Sequence, residues 1–275
     1  MMKMLLCNST RGPVFKNGGA YFAAPELSFD ALFNHADLMG IAAKAVAGSP
    51  LTETVELAAL IGSQEVWAAG VTYFRSRSAR MEESQDSGGA DFYDRVYRAE
   101  RPELFFKATP SRVVAPHGQL RLRSDSKWMV PEPELTLAIN NRAEIIGFTV
   151  GNDLSCRDIE GENPLYLPQA KVFSGCAAMG PGILLGSELL PPSTEIKLSI
   201  FRDGKSVTED KTELSQLKKP IPSLVSYLFR DNVFAEGCFL MTGTGIVPSS
   251  DFTLKSGDRI EITIEPIGTL VNTIL

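Results

Sequence analysis

Glu132 and Glu134 stand two residues apart in the run Val130-Pro-Glu-Pro-Glu-Leu135, and Asp153 follows in Gly151-Asn-Asp153. On an extended strand, residues two apart point the same way. Pro133 favours an extended backbone at Glu132. Asn140-Asn141 is a good tight turn between the two segments. A hairpin closed there returns Asp153 to the neighbourhood of Glu132 and Glu134. Three carboxylates gathered at one strand end repel one another, and a divalent cation is the simplest way to hold them together. An all-oxygen set suits magnesium, calcium or manganese rather than zinc. Glu-x-Glu on an exposed strand would look the same in isolation, so the hairpin closure and Asp153 carry the reading.

The elements that must position these acids are mostly short strands. Leu104–Lys107, Gln119–Arg123, Glu134–Ile139 and Ile145–Val150 fit, as do Glu195–Phe201 and Lys205–Val207 around the hairpin signal Asp203-Gly204. Pro222–Phe229 reads as a short helix, and Phe239–Thr242, Arg259–Ile264 and Leu270–Ile274 close the chain as strands. Many short strands with Gly and Pro turns point to an α+β, β-rich body rather than a wound parallel sheet. Residues 1–64 read as a small N-terminal α+β accessory domain and 65–275 as the catalytic domain. In the first, a hairpin turns at Asn17-Gly18-Gly19. Ser28 caps a single helix through Phe29, Leu32, Phe33, Leu38 and Ile41, and a second short helix is expected near Thr54–Ile61. Val66–Tyr73 reads as a strand. A polar connection with helical fragments, Arg75–Arg101, is a candidate lid.

Composition excludes several classes. The chain of 275 residues is 44% hydrophobic and 22% charged, which is ordinary globular usage. A formal charge of −6 without a strongly basic stretch disfavours nucleic acid as a partner. No apolar run approaches the roughly 20 residues that span a bilayer. The apolar start ending Leu5-Leu6-Cys7 lacks a charged segment with a full apolar core behind it, so it reads as a first strand rather than a signal. Four cysteines without a CxxC pair read as free thiols of a cytoplasmic protein.

The ordered motifs resemble one family. Val130–Leu135 followed by Gly151-Asn-Asp-Leu-Ser-Cys-Arg-Asp158 looks like the Glu-x-Glu…Asp metal signature of the fumarylacetoacetate hydrolase superfamily. Gly180-Pro181, Thr242-Gly-Thr-Gly-Ile-Val-Pro248, Gly257-Asp258 and Ile267-Gly-Thr-Leu-Val-Asn272 follow in the family's order, covering about residues 66–275. Arg157–Lys171, and Tyr93–Tyr97 with Arg101–Ala108, resemble the branch of 2-dehydro-3-deoxy-D-arabinonate dehydratases, which remove water to give 2,5-dioxopentanoate. The resemblance implies a mixed β-roll catalytic domain of the fumarylacetoacetase C-terminal type, in homodimers or homotetramers, acting on a small 2-oxo acid. It makes Glu132, Glu134 and Asp153 the ligands, with magnesium the usual ion and Ca2+ or Mn2+ as alternatives. It places Lys171 at the oxo acid end of the substrate and Thr244 at its carboxylate.

Arg157 and Glu160, close behind Asp153, are read as binding substrate hydroxyls or buttressing the ligands. A structural pair between Arg157 and Asp158 is the competing reading. Hydrolases of the superfamily carry a water-activating histidine after the strand that here ends in Val71-Thr-Tyr-Phe-Arg-Ser76, where this chain has none. His35 and His117 read as structural or exposed. Glu82 or Glu83 would then supply a lid acid or base, and Arg75 or Arg77 would meet a substrate carboxylate. The missing histidine favours a lyase over an acylpyruvate- or fumarylpyruvate-type C–C hydrolase. Decarboxylation of a 2-oxo dicarboxylic acid needs the same chelate. A non-catalytic scaffold would need neither the three acids nor Lys171.

Overall fold

The segment Glu195–Arg202 buries Ile196, Leu198 and Ile200 and leaves Lys197 exposed between them. Arg259–Ile264 repeats the pattern with Ile260, Ile262 and Ile264. Period-two alternation of this kind makes a sheet with one dry face. In the computed structural model, which describes residues 3–83 and 90–275, these strands are the second and third of a five-stranded sheet. Its order is Lys205–Glu213, Glu195–Arg202, Arg259–Ile264, Gly268–Ile274 and Gln119–Leu120. The side chains of residues 82, 83, 90 and 91 also lie outside the described part.

The larger sheet runs Ala20–Ala23, Gly12–Asn17, Met4–Ser9, Ala177–Leu185, Ile145–Asp153, Pro133–Ile139, Cys238–Met241, Glu65–Gly70 and Glu103–Ala108, with Val113–Val114 beside Ala177–Leu185. Every residue of Pro133–Ile139 is buried because both faces of this strand are covered. Leu135, Leu137 and Ile139 belong to one core with the isoleucines of the five-stranded sheet. Ala138 belongs to the other, with Phe29, Leu32, Phe33 and Leu38. Each large side chain so buried stabilises by about 1.5–3 kcal/mol relative to exposure. Residues 4–23 join the same sheet, since Leu5 and Leu6 pair with Leu184 and Ile183.

Three expected elements differ. Instead of one helix from Phe29 to Ile41 there are two, Phe29–Phe33 and Leu38–Val46. Ser28 caps the first as expected, accepting from the Ala31 N–H, and Asp37 starts the second by accepting from Gly40. The polar run Asn34–Asp37 supplies both an end and a new cap, so the helix restarts in another direction. Thr54–Ile61 is not a helix. Leu57 bridges to Ser9, and backbone bonds join Thr10 to Glu56 and Ala58 to Asn8. Val55, Leu57 and Ala59 alternate with polar or small neighbours, and that period of two won over helix propensity. The expected strand Gln119–Arg123 is only Gln119–Leu120.

The edge of the large sheet gathers the chemistry. Glu65–Gly70 ends there, Val71 adopts φ 52°, and the chain turns into the helix Phe74–Glu83. Pro133 starts its strand where Cys238–Met241 no longer reaches, so its missing N–H costs no ladder bond on that side. Ala90–Arg98 forms a second helix against Phe74–Glu83, and Arg157–Glu162 and Leu167–Lys171 cover the same edge.

Candidate active site

The hairpin inferred from Asn140-Asn141 is present, and its register fixes the triad. Gly151 pairs with Glu134 and Asn152 with Pro133, and the Asp153 N–H donates to the Glu132 carbonyl. One carboxylate oxygen from each of Glu132, Glu134 and Asp153 lies within 4.8 Å of the others, and all three residues are buried. Gly151 is needed for this approach: a Cβ there would sit 2.2 Å from the Thr136 hydroxyl. Gly243 has φ +95° and would drive a Cβ to 1.9 Å from Thr72 Oγ1, so only glycine brings its N–H to Glu134 Oε2, at 2.6 Å.

Around the acids stand buried cations. Lys171 Nζ lies 2.5 Å from Glu132, 3.1 Å from Asp153 and 3.2 Å from Glu160. It also donates to Ser155 Oγ at 2.6 Å. Lys107 Nζ lies 2.5 Å from Asp153 and donates to the Leu154 and Lys171 carbonyls. Arg157 meets Glu132 at 2.6 Å, and Arg80 pairs with Glu160 and stands 3.8 Å from Glu132.

This charge pattern separates the ligands. Burial pushes the Glu132 carboxyl up, but Lys171, Arg157 and Arg80 outweigh it and hold it well below the usual range. Burial and the charges of Asp153 and Glu132 push Glu134 well above that range. Burial disfavours the charged form of Lys171, yet Asp153, Glu132 and Glu160 keep its ammonium protonated far into the alkaline range. A carboxylate driven to hold its proton by like charges on an all-oxygen donor set is what a hard divalent cation relieves, so the residues fit such an ion.

The structure brings Lys171, Arg157, Glu160 and Thr244 to the triad. Arg157 pairs with Glu132 rather than with Asp158, which accepts instead from Ser126 and Lys127. Successive residues at a helix start diverge, which separates the two. Thr244 lines the cavity, its hydroxyl exchanging hydrogen bonds with Ile246. Arg77 ties the helices Phe74–Glu83 and Ala90–Arg98 together through Asp94 and lies over Phe74 and Tyr97. Arg75 reaches Asp210 and the Val247 carbonyl. The side chains of Glu82 and Glu83 lie outside the described residues. His35 accepts from the Asp37 N–H, and His117 sits in a turn at φ 64°.

Sequence reasoning missed Glu103, Lys107 and Arg80 as site residues. Glu103, Phe105 and Lys107 share one face of the strand Glu103–Ala108, so period-two counting from Lys107 was the available signal. Glu103 pairs with Gly70 across the sheet, and a Cβ on Gly70 would lie 2.0 Å from its Oε2. It is half-buried. Burial raises its pKa, against the pull of Arg80 and Lys171.

Among known proteins, a probable 2-keto-3-deoxyxylonate dehydratase of Haloferax volcanii is 48% identical over 215 residues, 78% of this chain and 73% of that protein. The 2-dehydro-3-deoxy-D-arabinonate dehydratase of Saccharolobus solfataricus is 44% identical over 217 residues, 78% of this chain and 72% of its own. A solved 2-keto-3-deoxy-D-arabinonate dehydratase complexed with magnesium and 2,5-dioxopentanoate superposes with a TM-score of 0.83 at 34% identity, covering 99% of this chain and 98% of that one. The family model for the fumarylacetoacetate (FAA) hydrolase C-terminal region matches residues 66–275, the part that carries the triad and Lys171. The chain belongs to the fumarylacetoacetate hydrolase family.

Proposed function

We propose that the chain is a magnesium-dependent hydro-lyase. It would remove water from 2-dehydro-3-deoxy-D-arabinonate to give 2,5-dioxopentanoate. The observation that carries this reading is the charge balance at the triad. Among the described residues, the carboxylates of Glu132, Glu134, Asp153 and Glu160 face the cations of Lys107, Lys171, Arg157 and Arg80. Addition of a divalent cation makes this set of described groups more positive, since its acids already face buried cations. The carboxylate of a 2-oxo acid and the oxygen of its enolate supply the matching negative charge. The dehydratases similar to this chain, one with magnesium and 2,5-dioxopentanoate bound, support the same substrate class.

Glu132, Glu134 and Asp153 would hold the cation. When bound, it draws electron density from the 2-oxo group and stabilises the enolate formed as a C3 proton leaves. Lys171 stays protonated and acts as a fixed charge and donor at the oxo acid end rather than as a proton shuttle. Glu103, with its proton held above the usual range, is placed to pass protons beyond Gly70. The balance requires a C3 proton to leave and the C4 hydroxyl to depart as water. A C5 proton is then lost while C3 regains one, and the hydroxyl proton of the resulting enol moves to C4, giving the aldehyde. Thr244 borders the oxo acid end. Arg157 and Glu160 buttress Glu132 and Lys171 and need no substrate contact to do so.

Neither histidine is among the residues lining the cavity at the triad, so water activation of the hydrolase kind finds no support there. Residues 1–64 are read as the accessory part and 65–275 as the catalytic part, in a cytoplasmic homodimer or homotetramer. Among the described residues no helix is long and apolar enough to cross a membrane. The test is a coupled assay: 2-dehydro-3-deoxy-D-arabinonate, magnesium and an excess of an NADP-dependent semialdehyde dehydrogenase, beside an acylpyruvate cleavage assay. Reduction that disappears with chelator is expected. Acylpyruvate cleavage without any reduction would replace the lyase by a hydrolase.

A further inference from the structure

The space left at the triad is very small. Bounded by Glu132, Glu134, Asp153, Lys171, Gly70 and Thr244, it amounts to about 10 Å3, room for roughly one water-sized sphere. A five-carbon 2-oxo acid of about ten non-hydrogen atoms cannot sit there whole. Beside it lies a second cavity of about 470 Å3, lined among the described residues by Phe92, Tyr93, Val96, Glu103, Asn163 and Leu165 with Pro164.

Two contacts join the cavities. Glu103, in the wall of the second, sits over Gly70, in the wall of the first. Arg80, beside the triad, carries its guanidinium 6.0 Å from the ring centroid of Tyr93. Among the described residues, Glu103, Gly70, Arg80 and Tyr93 stand between the two cavities. On the far side the character changes: Phe92 is 58% exposed and Leu165 83% exposed. Large apolar side chains left in water at a cavity mouth mark a surface that something apolar covers. A mouth that met only sugar hydroxyls would gain nothing from them.

We infer that this second cavity is the subsite for the substrate end remote from the oxo acid, and that it accepts aliphatic chains longer than five carbons. The inference rests on the 2-oxo acid reading above. Carbons 1 and 2 stop at the edge of the triad, whose remaining space takes little more than one oxygen, carbons 3 and 4 pass Gly70 and Glu103, and carbon 5 and beyond rest against Val96, Phe92 and Leu165. Gly70 has no side chain there, and the Glu103 carboxyl fills the space over it, so a chain passing this point displaces only the end of that side chain. The volume exceeds what a five-carbon acid fills and lies within the range of pockets that hold larger ligands.

The test uses the full chain loaded with magnesium and a series of straight-chain 2-oxo acids, which lack a C4 hydroxyl to eliminate. Calorimetric titration with 2-oxobutanoate, 2-oxopentanoate, 2-oxohexanoate and 2-oxooctanoate should show Kd falling about two- to fourfold per added methylene from the five-carbon acid onward. Val96→Phe, which fills the cavity, should flatten that trend and leave Kd for 2-oxobutanoate within about twofold. Leu165→Ser, at a position too exposed to affect folding, should weaken 2-oxooctanoate alone. A flat series in the unmodified protein, with 2-oxobutanoate bound, overturns the subsite and leaves the 2-oxo acid reading standing. Magnesium-dependent binding of none of the acids removes both.

Discussion

Replacing Lys171 by methionine keeps an unbranched side chain of similar reach and deletes its charge. The ammonium is 1% exposed and lies 2.5 Å from Glu132, 3.1 Å from Asp153 and 3.2 Å from Glu160. Taking one partner from a buried ion cluster costs about 3–5 kcal/mol, because the opposite charges stay buried without compensation. For a chain of this size each kcal/mol shifts Tm by about 2–4 °C, so the cation-free variant should melt roughly 6–20 °C below the unmodified protein. Magnesium neutralises the same carboxylates. The variant should therefore gain more Tm from added magnesium than the unmodified protein does, and the gap should narrow. Turnover should stay at least about a hundredfold down, since a fixed donor at the developing oxyanion is missing. Thermal unfolding with and without magnesium, alongside the coupled assay, reads both effects. A cation-free Tm within about 2 °C of the original, together with normal turnover, would refute a central role for Lys171.

Glu134 gives a pH prediction. Its pKa is raised by burial, Asp153 and Glu132, so the cation-free protein holds a proton there that magnesium must displace. Magnesium affinity should therefore rise with pH up to that raised pKa and fall about tenfold per pH unit below it. Titration heats in buffers of different ionisation enthalpy should report proton release that rises toward one per magnesium as the pH falls below that raised pKa. Glu134→Gln, a mimic of the protonated acid, should release none, bind magnesium at least about tenfold more weakly and lose metal-dependent activity; full activity with unchanged affinity would remove Glu134 from the ligand set. Glu103→Gln should fold and bind magnesium normally while kcat drops by about 10²–10⁴-fold and the corresponding limb of the pH–rate profile disappears. Retention of kcat would move the proton transfer to another group.

The triad was legible in the chain itself. Glu-x-Glu on a strand, a turn at Asn140-Asn141 and Asp153 on the return strand form a local arrangement. A hairpin's register follows from its own sequence, and the observed pairing of Gly151 with Glu134 is that register. The five-stranded sheet was legible for a similar reason, because its alternation is written residue by residue. The break at Asn34–Asp37 and the extended run at 54–61 were misread. At the first, the local cap of Asp37 on Gly40 restarted the helix; at the second, pairing with the distant residue Ser9 drew the apolar run into an extended form.

The counter-ions needed the tertiary structure. Lys107 reaches Asp153 from a strand 46 residues earlier in the chain, and Arg80 reaches Glu160 across 80 residues. Alternation along its strand puts Lys107 on one face with Glu103 and Phe105, but nothing local to either cation says which acid it will meet. The same holds for Arg157, whose adjacent Asp158 looked like its partner and is not. Charge says that a group must be paired once it is buried. Which strands and helices share the edge where it is buried is settled only when the sheet order brings Glu103–Ala108, Glu65–Gly70 and Pro133–Ile139 together.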